Sequence, residues 1–139
     1  MEVVTMSRTY SEMMKYESFE DRIRYLMLHQ KPGDETLGHL RYLTQQFYKT
    51  REWKQIRRII MARDLGLEVG VVGFPIYGNI YVHHIIPITE DMIYNNDPLL
   101  TDPNNLVCCS LQVHNLIHFG QEEDLYVMTE RTPGDNQLW

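Results

Sequence analysis

The feature that most constrains this chain is a group of histidines between residues 83 and 118. Four of the six histidines in the 139-residue sequence lie in this interval: His83, His84, His114 and His118. Imidazole is the commonest metal ligand in proteins and the side chain best suited to proton transfer near neutral pH. A fold that brings these residues together would therefore create a chemical site.

The residues around the histidines predict two strands and a helix. Residues 80–86 are rich in β-branched and aromatic side chains, and Pro87 would end a strand there. Leu106–Cys109 is a second short apolar run, long enough to form the partner strand. Ser110 and Gly120 stand where the N-cap and a left-handed C-cap of a following helix would fall.

These predicted elements give the histidines different directions. Neighbouring strand residues point to opposite faces, so His83 and His84 are expected to do different work. His114 and His118 are spaced i, i+4 and should lie on one helix face, where two imidazoles suit one cation. A strand, a loop and a helix are enough to bring His83 to the same ion.

The order and spacing of these residues resemble the HNH nuclease motif of the ββα-metal fold. Two adjacent histidines are followed by Asn105, then by His114 nine residues further on and by His118 four residues beyond it. This arrangement is similar to that of the colicin-type DNases, in which three histidines hold the metal. The resemblance implies an α+β fold with a ββα-metal core and N-terminal helices.

The flanking segments resemble a narrower group, the small HNH endonucleases of phages of Gram-positive bacteria. These segments are residues 45–54 (QQFYKTREWK), 83–89 (HHIIPIT), 102–106 (DPNNL), 114–120 (HNLIHFG) and 130–135 (ERTPGD), together with Trp139. The resemblance thus extends from Phe19 to the end of the chain. It implies phage DNA processing or packaging as the setting, in the cytoplasm of a bacterial host.

Carried over position by position, the resemblance implies a metal-dependent DNA endonuclease. His84 would be the general base that takes a proton from the attacking water, and Asn105 would hold the loop and the base by hydrogen bonds. His83, His114 and His118 would bind one divalent ion (Mg, Mn, Ni or Zn), which stabilises charge on the phosphate and on the departing 3′ oxygen. Because ligand imidazoles must be neutral, metal binding and activity should fall together below about pH 6.

The length of the chain fits a single domain over residues 1–139. Residues 1–64 are predicted to be mainly helical, residues 67–120 to contain a hairpin and the histidine motif, and residues 121–139 to form an acidic tail. No apolar run approaches the roughly 18 residues of a membrane span. The first residues also lack the basic start and apolar core of a signal peptide, so we expect an intracellular protein.

Three helical segments are predicted before the basic region. They are a short helix within residues 10–16, an amphipathic helix from its N-cap Ser18 to about His29, and a helix over residues 37–46 with its leucines or Tyr42 facing inward. The second and third of these helices are the least informative part of the chain functionally, and they could complete the core, make a dimer contact or hold a partner.

A basic segment follows these helices. Residues 41–63 carry a net charge of +6, whereas the whole chain carries −6. Thr50 is a candidate cap for a helix over residues 51–64, with Trp53, Ile56, Ile60 and Ile59 as its candidate buried side. Such a stripe on an acidic protein is typical of a phosphate-backbone contact, and a solvated helix face is the alternative. The candidate nucleic-acid contacts are Arg51, Lys54, Arg57, Arg58 and, beside His114, Asn115.

The two cysteines indicate neither a disulfide nor a structural zinc site. Cys108 and Cys109 are neighbours in the second predicted strand, which makes them poor disulfide partners. No Cys-x-x-Cys pair exists for a structural zinc site, so any metal is expected at the histidines only.

Two other functions compete with the nuclease. One is a DNA- or protein-binding module that keeps the fold but cleaves slowly or not at all, which the net charge of −6 favours. The other is a structural zinc domain, which would leave an open coordination position and an unused His84. The partners implied by the resemblance are DNA and a phage terminase subunit. Metal identity, sequence preference, nicking against double-strand cleavage, action on RNA and a homodimeric state are left open.

Overall fold

The fold combines short α-helices with one two-stranded antiparallel sheet, which confirms the predicted α+β class. The computed structural model describes residues 8–30 and 38–125, so the predictions for most of the acidic tail lie outside the described residues. The helices are α1 (Tyr10–Met13), α2 (Phe19–Leu26), α3 (Gly38–Tyr48), α4 (Arg51–Asp64), α5 (Glu90–Tyr94) and α6 (Leu111–Phe119). The strands are β1 (Tyr81–His84) and β2 (Leu106–Cys109).

Hydroxyl side chains determine where most of the helices begin. The N-caps Ser18, Thr50, Thr89 and Ser110 each accept a hydrogen bond from the backbone N–H three residues further on. Each bond satisfies a donor that has no partner within the first turn of a helix. The predicted starts of α2, α4 and α6 are thereby confirmed.

The end of α2 differs from the prediction. The helix stops at Leu26 rather than near His29, because Met27 turns to an extended backbone with ψ of 135°. The next backbone donors leave the helix axis and pair with α6: the N–H of Leu28 bonds the carbonyl of Ile117 at 2.8 Å. A tertiary contact therefore ends this helix.

Gly120 has an extended backbone (φ −71°, ψ 162°), so the predicted left-handed C-cap of α6 is wrong. The glycine is required for a different reason. A Cβ atom at this position would lie 2.5 Å from the backbone oxygen of Leu116, closer than side-chain carbons approach. The chain thus leaves α6 by passing directly over its last turn.

The sheet separates two groups of side chains. β1 and β2 pair in the register Tyr81↔Cys109, Val82↔Cys108, His83↔Val107 and His84↔Leu106. We call one side the α6 face; it carries Tyr81, His83, Val107 and Cys109 and packs against α6 and α2. We call the other side the α4 face; it carries Val82, His84, Leu106 and Cys108 and packs against α4.

The predicted inner side of α4 is largely confirmed. Trp53, Ile56 and Ile60 are buried against the sheet, whereas Ile59 is 58% exposed and belongs to the outer side. α3 is only half-buried along its inner side, and Tyr42 points outward with 57% of its surface exposed.

An ion pair fastens the end of α4 to β2. The carboxylate of Asp64 accepts the backbone N–H of Cys108 and the Nε–H of Arg63, both at 2.8 Å. The other nitrogens of Arg63 donate to the carbonyls of Pro103 and Leu106. Because the Asp64 side chain is fully buried, this pairing fixes β2 and the turn before it relative to the helix.

The hairpin that was expected within residues 67–120, ahead of β1, forms only in part. One isolated antiparallel bridge joins Leu67 and Pro75, next to a single helical turn at Glu68–Gly70. Left-handed backbone at Gly66, Gly70, Gly73 and Gly78 turns the chain too often for regular strands to form. Glu68 instead accepts the backbone N–H of Ser110 at 2.7 Å and so supports the start of α6.

Among the helices of residues 8–30 and 38–125, none has both the length and the apolar character needed to cross a membrane.

Candidate metal centre

All three predicted ligands meet on the α6 face. His83, His114 and His118 each place one ring nitrogen so that all three atoms lie within 4.8 Å of one another. β1 supplies the first imidazole, and adjacent turns of α6 supply the other two. The ring centroids are 5.3 Å apart for His83 and His114, 5.1 Å for His83 and His118, and 4.4 Å for His114 and His118.

The spacing and hydrogen bonding of the ring nitrogens are suited to a bound cation. Nε2 of His114 and Nε2 of His118 are 3.1 Å apart, close to the about 3.3 Å that separates two imidazole nitrogens on one tetrahedral ion. Nε2 of His83 is buried and has no hydrogen-bond partner among the described residues. A buried polar atom without a partner is costly, and coordination of a metal would satisfy it.

The protonation of the rings also fits metal binding. Burial, together with the neighbouring His114 and His118, holds the pKa of His83 well below its usual value. Burial lowers the pKa of His114 to about 4, with a further contribution from His118, and burial lowers the pKa of His118 as well. All three imidazoles are therefore neutral at pH 7, which is the form that binds a metal.

His84 lies on the α4 face, in different surroundings. Its Nε2 is 2.9 Å from the carbonyl oxygen of Leu100. Since a carbonyl only accepts, Nε2 carries the proton and Nδ1 keeps its lone pair. The ring stacks on Trp53 with a centroid distance of 5.1 Å, and Phe47 lies at its edge. Burial lowers the pKa of His84 to about 4, while the bond to Leu100 acts in the opposite direction.

Asn105 connects the end of β1 with the turn that faces His84. Its amide oxygen accepts the N–H of Ile86 at 2.8 Å, and its amide nitrogen donates to the carbonyls of Ile86 and Leu99. Its own backbone carbonyl accepts the N–H of Ile85 at 2.8 Å. The side chain of Asn105 therefore fixes the turn at Leu99 and Leu100, and the carbonyl of Leu100 accepts the hydrogen bond from His84.

The candidate nucleic-acid residues are distributed over two helices. Arg51, Lys54 and Arg58 are exposed on α4, on the side away from the sheet. Arg57 is half-buried, and its guanidinium donates to the carbonyl of Ile80 at 3.0 Å. Asn115 is exposed on α6. The fold thus brings together the three candidate metal ligands but separates them from the basic side of α4 by the sheet.

Two further neighbours of the centre were not predicted. Gln30 places its side-chain oxygen 2.9 Å from Nδ1 of His118. Tyr81 stacks on His114 with ring centroids 6.0 Å apart. Tyr81 stands two residues before His83, so the alternation of a strand could have placed it on the same face. No local pattern identifies Gln30, because its contact depends on tertiary structure.

Comparisons with known protein families, with curated proteins and with solved structures found no match. What the site can do chemically follows from its own side chains. Those side chains offer a three-nitrogen cluster suited to a divalent cation and, one residue away, an imidazole with an unprotonated Nδ1.

Proposed function

We propose that this protein is a metal-dependent endonuclease of the HNH type that hydrolyses phosphodiester bonds in DNA. The observation that carries the proposal is that one ring nitrogen each of His83, His114 and His118 lies within 4.8 Å of the other two. The buried Nε2 of His83, which has no hydrogen-bond partner among the described residues, adds to it. The order of β1, β2 and α6, with ligands on the first strand and on the helix, supports a ββα-metal core. Phage DNA processing, with a terminase as partner, is the setting we propose.

The proposed mechanism assigns separate roles to the two sides of β1. When bound at the three imidazoles, a divalent ion would supply Lewis-acid stabilisation of negative charge at the phosphate and the leaving oxygen. His84 would accept the proton of the attacking water at Nδ1, and its Nε2–H bond to Leu100 would stabilise the resulting imidazolium. His83 and His84 have Cα atoms about 3.8 Å apart. The proposal therefore places the scissile phosphodiester at the end of β1, where these two residues are neighbours.

The remaining residues would position this machinery and the substrate. Asn105 keeps the turn at Leu100 in place, so the ring of His84 cannot rotate without losing its hydrogen bond. Trp53 covers one side of that ring. Arg51, Lys54 and Arg58 would contact the phosphate backbone, which positions a duplex without reading its sequence.

The proposal is tested by conversion of supercoiled plasmid to nicked and linear forms. Reactions contain magnesium, manganese, nickel or zinc, or EDTA, and compare the wild type with His84→Ala. His39→Ala is the matched control, because His39 is an exposed histidine on α3 outside the site. We expect cleavage by the wild type and by His39→Ala, and its loss in EDTA and in His84→Ala. Circular dichroism verifies that each variant is folded.

A binding module is the second candidate, favoured by the net charge of −6. A folded wild-type protein that binds a metal but cleaves with none of the four would support this candidate and overturn the nuclease. Shift of labelled DNA in the same buffers would then identify DNA as the ligand, and its absence would point to a protein partner.

A further inference from the structure

We propose that Gln30 is a positioning residue of the metal centre, which fixes His118 in the tautomer that presents Nε2 to the cation. This inference rests on the proposed metal centre. The side-chain oxygen of Gln30 lies 2.9 Å from Nδ1 of His118. Nε2, on the far side of the same ring, is the atom that faces His114 at 3.1 Å.

The hydrogen bond determines which nitrogen of His118 carries the proton. A neutral imidazole has one donor and one acceptor nitrogen, and an amide oxygen only accepts. With the oxygen of Gln30 at Nδ1, the proton must be on Nδ1, and the lone pair is then on Nε2. Hydrogen bonds at the non-coordinating nitrogen fix the tautomer and orientation of metal-binding histidines in this way.

The backbone holds Gln30 in register with His118. The N–H of Gln30 donates to the carbonyl of His118 at 2.8 Å, just as the N–H of Leu28 donates to Ile117. Carbonyls in the last turn of a helix have no partner within it, so the segment after α2 satisfies the end of α6. Gln30 therefore binds His118 twice, once through its main chain and once through its side chain.

His29 gives a second indication that this placement is specific. It lies between the two backbone contacts and has a left-handed φ of 53°, which is uncommon for a residue other than glycine. This turn directs the N–H groups on both sides of His29 toward α6. The early end of α2 and the left-handed residue together deliver the side chain of Gln30 to Nδ1.

Substitutions separate a tautomer role from mere packing. Gln30→Ala removes the acceptor, whereas Gln30→Glu keeps an acceptor of similar length and replaces the amide with a carboxylate. Gln45→Ala, at an exposed glutamine of α3, is the matched control. Partners of this kind contribute about 10- to 100-fold to metal affinity, so Gln30→Ala should weaken binding by such a factor. Gln30→Glu should bind at least as tightly as the wild type.

Two measurements test the inference. Titration with cobalt(II) gives the dissociation constant and the visible absorption spectrum of the bound ion. Nitrogen-15 NMR of the imidazoles in EDTA reports directly which nitrogen of His118 carries the proton. We expect Nδ1–H in the wild type, Gln30→Glu and Gln45→Ala, and a mixture of tautomers with weaker cobalt binding in Gln30→Ala.

The outcomes distinguish this inference from the nuclease. An unchanged tautomer and unchanged cobalt affinity in a folded Gln30→Ala protein would overturn the role of Gln30. A wild-type protein that binds no metal would overturn the metal centre and this role with it. A wild-type protein that binds cobalt with the expected Gln30 dependence, but cleaves no DNA, supports the inference and overturns only the nuclease.

Discussion

The two faces of β1 show how the surrounding side chains give two histidines different chemical properties. His83 and His84 are adjacent and both buried. His83 faces two other imidazoles and has no hydrogen-bond partner among the described residues for its buried Nε2. His84 instead donates Nε2–H to the carbonyl of Leu100 and stacks on Trp53. The α6 face is suited to hold a cation, and the α4 face is suited to hold one imidazole in one orientation.

Burial has the same effect on both residues, so burial alone does not explain the difference. It lowers the pKa of both histidines and keeps both neutral at pH 7. The difference lies in how the lone pairs are used. On the α6 face three neutral rings converge, whereas on the α4 face one ring has its proton fixed on Nε2.

The largest expected effect comes from removing one histidine at a time. His84→Ala should lower the cleavage rate about 10²- to 10⁴-fold, the usual contribution of a general base, and leave metal affinity unchanged. His83→Ala should abolish both cleavage and metal binding, because it removes one of the three proposed ligands. Plasmid cleavage and calorimetric metal titration measure the two quantities. A His84→Ala protein with metal binding as weak as that of His83→Ala would contradict the division of roles.

A large effect on stability is expected on the α4 face. Trp53 is buried and packs on His84, so Trp53→Ala should lower the free energy of unfolding by about 3–5 kcal/mol. Ile59→Ala, on the exposed side of the same helix, should change it by less than about 0.5 kcal/mol. Urea denaturation in EDTA gives both values. Equal losses in the two variants would mean that the packing of Trp53 does not stabilise this face.

Acid should destabilise the metal-free protein. The folded pKa of His84 and of His114 is about 4, whereas an unfolded histidine has a pKa of about 6.5. Between these values the unfolded chain binds more protons, so stability is complete above about pH 6.5 and is lost as the pH falls toward 4. Urea denaturation at pH 7, 6 and 5 in EDTA measures this loss. It should be smaller in His84→Gln than in His39→Gln, in which a histidine is removed at an exposed site.

The smallest expected effect concerns two neighbouring arginines of α4. Arg58 is exposed, whereas Arg57 is tied to the carbonyl of Ile80. Arg58→Gln should reduce the slope of log affinity for DNA against log salt concentration by about one. Arg57→Gln should instead lower the free energy of unfolding, because it removes the hydrogen bond to Ile80, and should leave this slope nearly unchanged. Fluorescence anisotropy with a labelled duplex in EDTA measures the slope, and an unaltered slope in Arg58→Gln would exclude Arg58 from the DNA interface.

Local patterns predicted much of the centre. The alternation of a strand separated His83 from His84, and the i, i+4 spacing placed His114 and His118 on one side of α6. The N-cap Ser110 was also predicted, because capping depends on a single side chain and the three residues after it. These features depend on residues close together in sequence.

Features that depend on distant residues were missed or were wrong. α2 ends early because backbone donors bond α6, more than 80 residues away in the chain. Position 120 requires glycine because a Cβ atom there would collide with the backbone of Leu116, and not because the residue has a left-handed φ. The stacking of Trp53 on His84 likewise joins two elements whose separate sequences reveal only that each is buried.

The adjacent cysteines make each face of the sheet separately observable in solution. Cys108 lies on the α4 face and Cys109 on the α6 face; burial raises the pKa of the first to about 12 and that of the second well above its usual value. Since thiolates are the reactive form, alkylation reports transient opening of the surrounding structure. In single-cysteine variants, metal should slow the labelling of Cys109 more than that of Cys108. The alkylation rates of these two adjacent residues therefore report separately how often the structure opens on each face of the sheet.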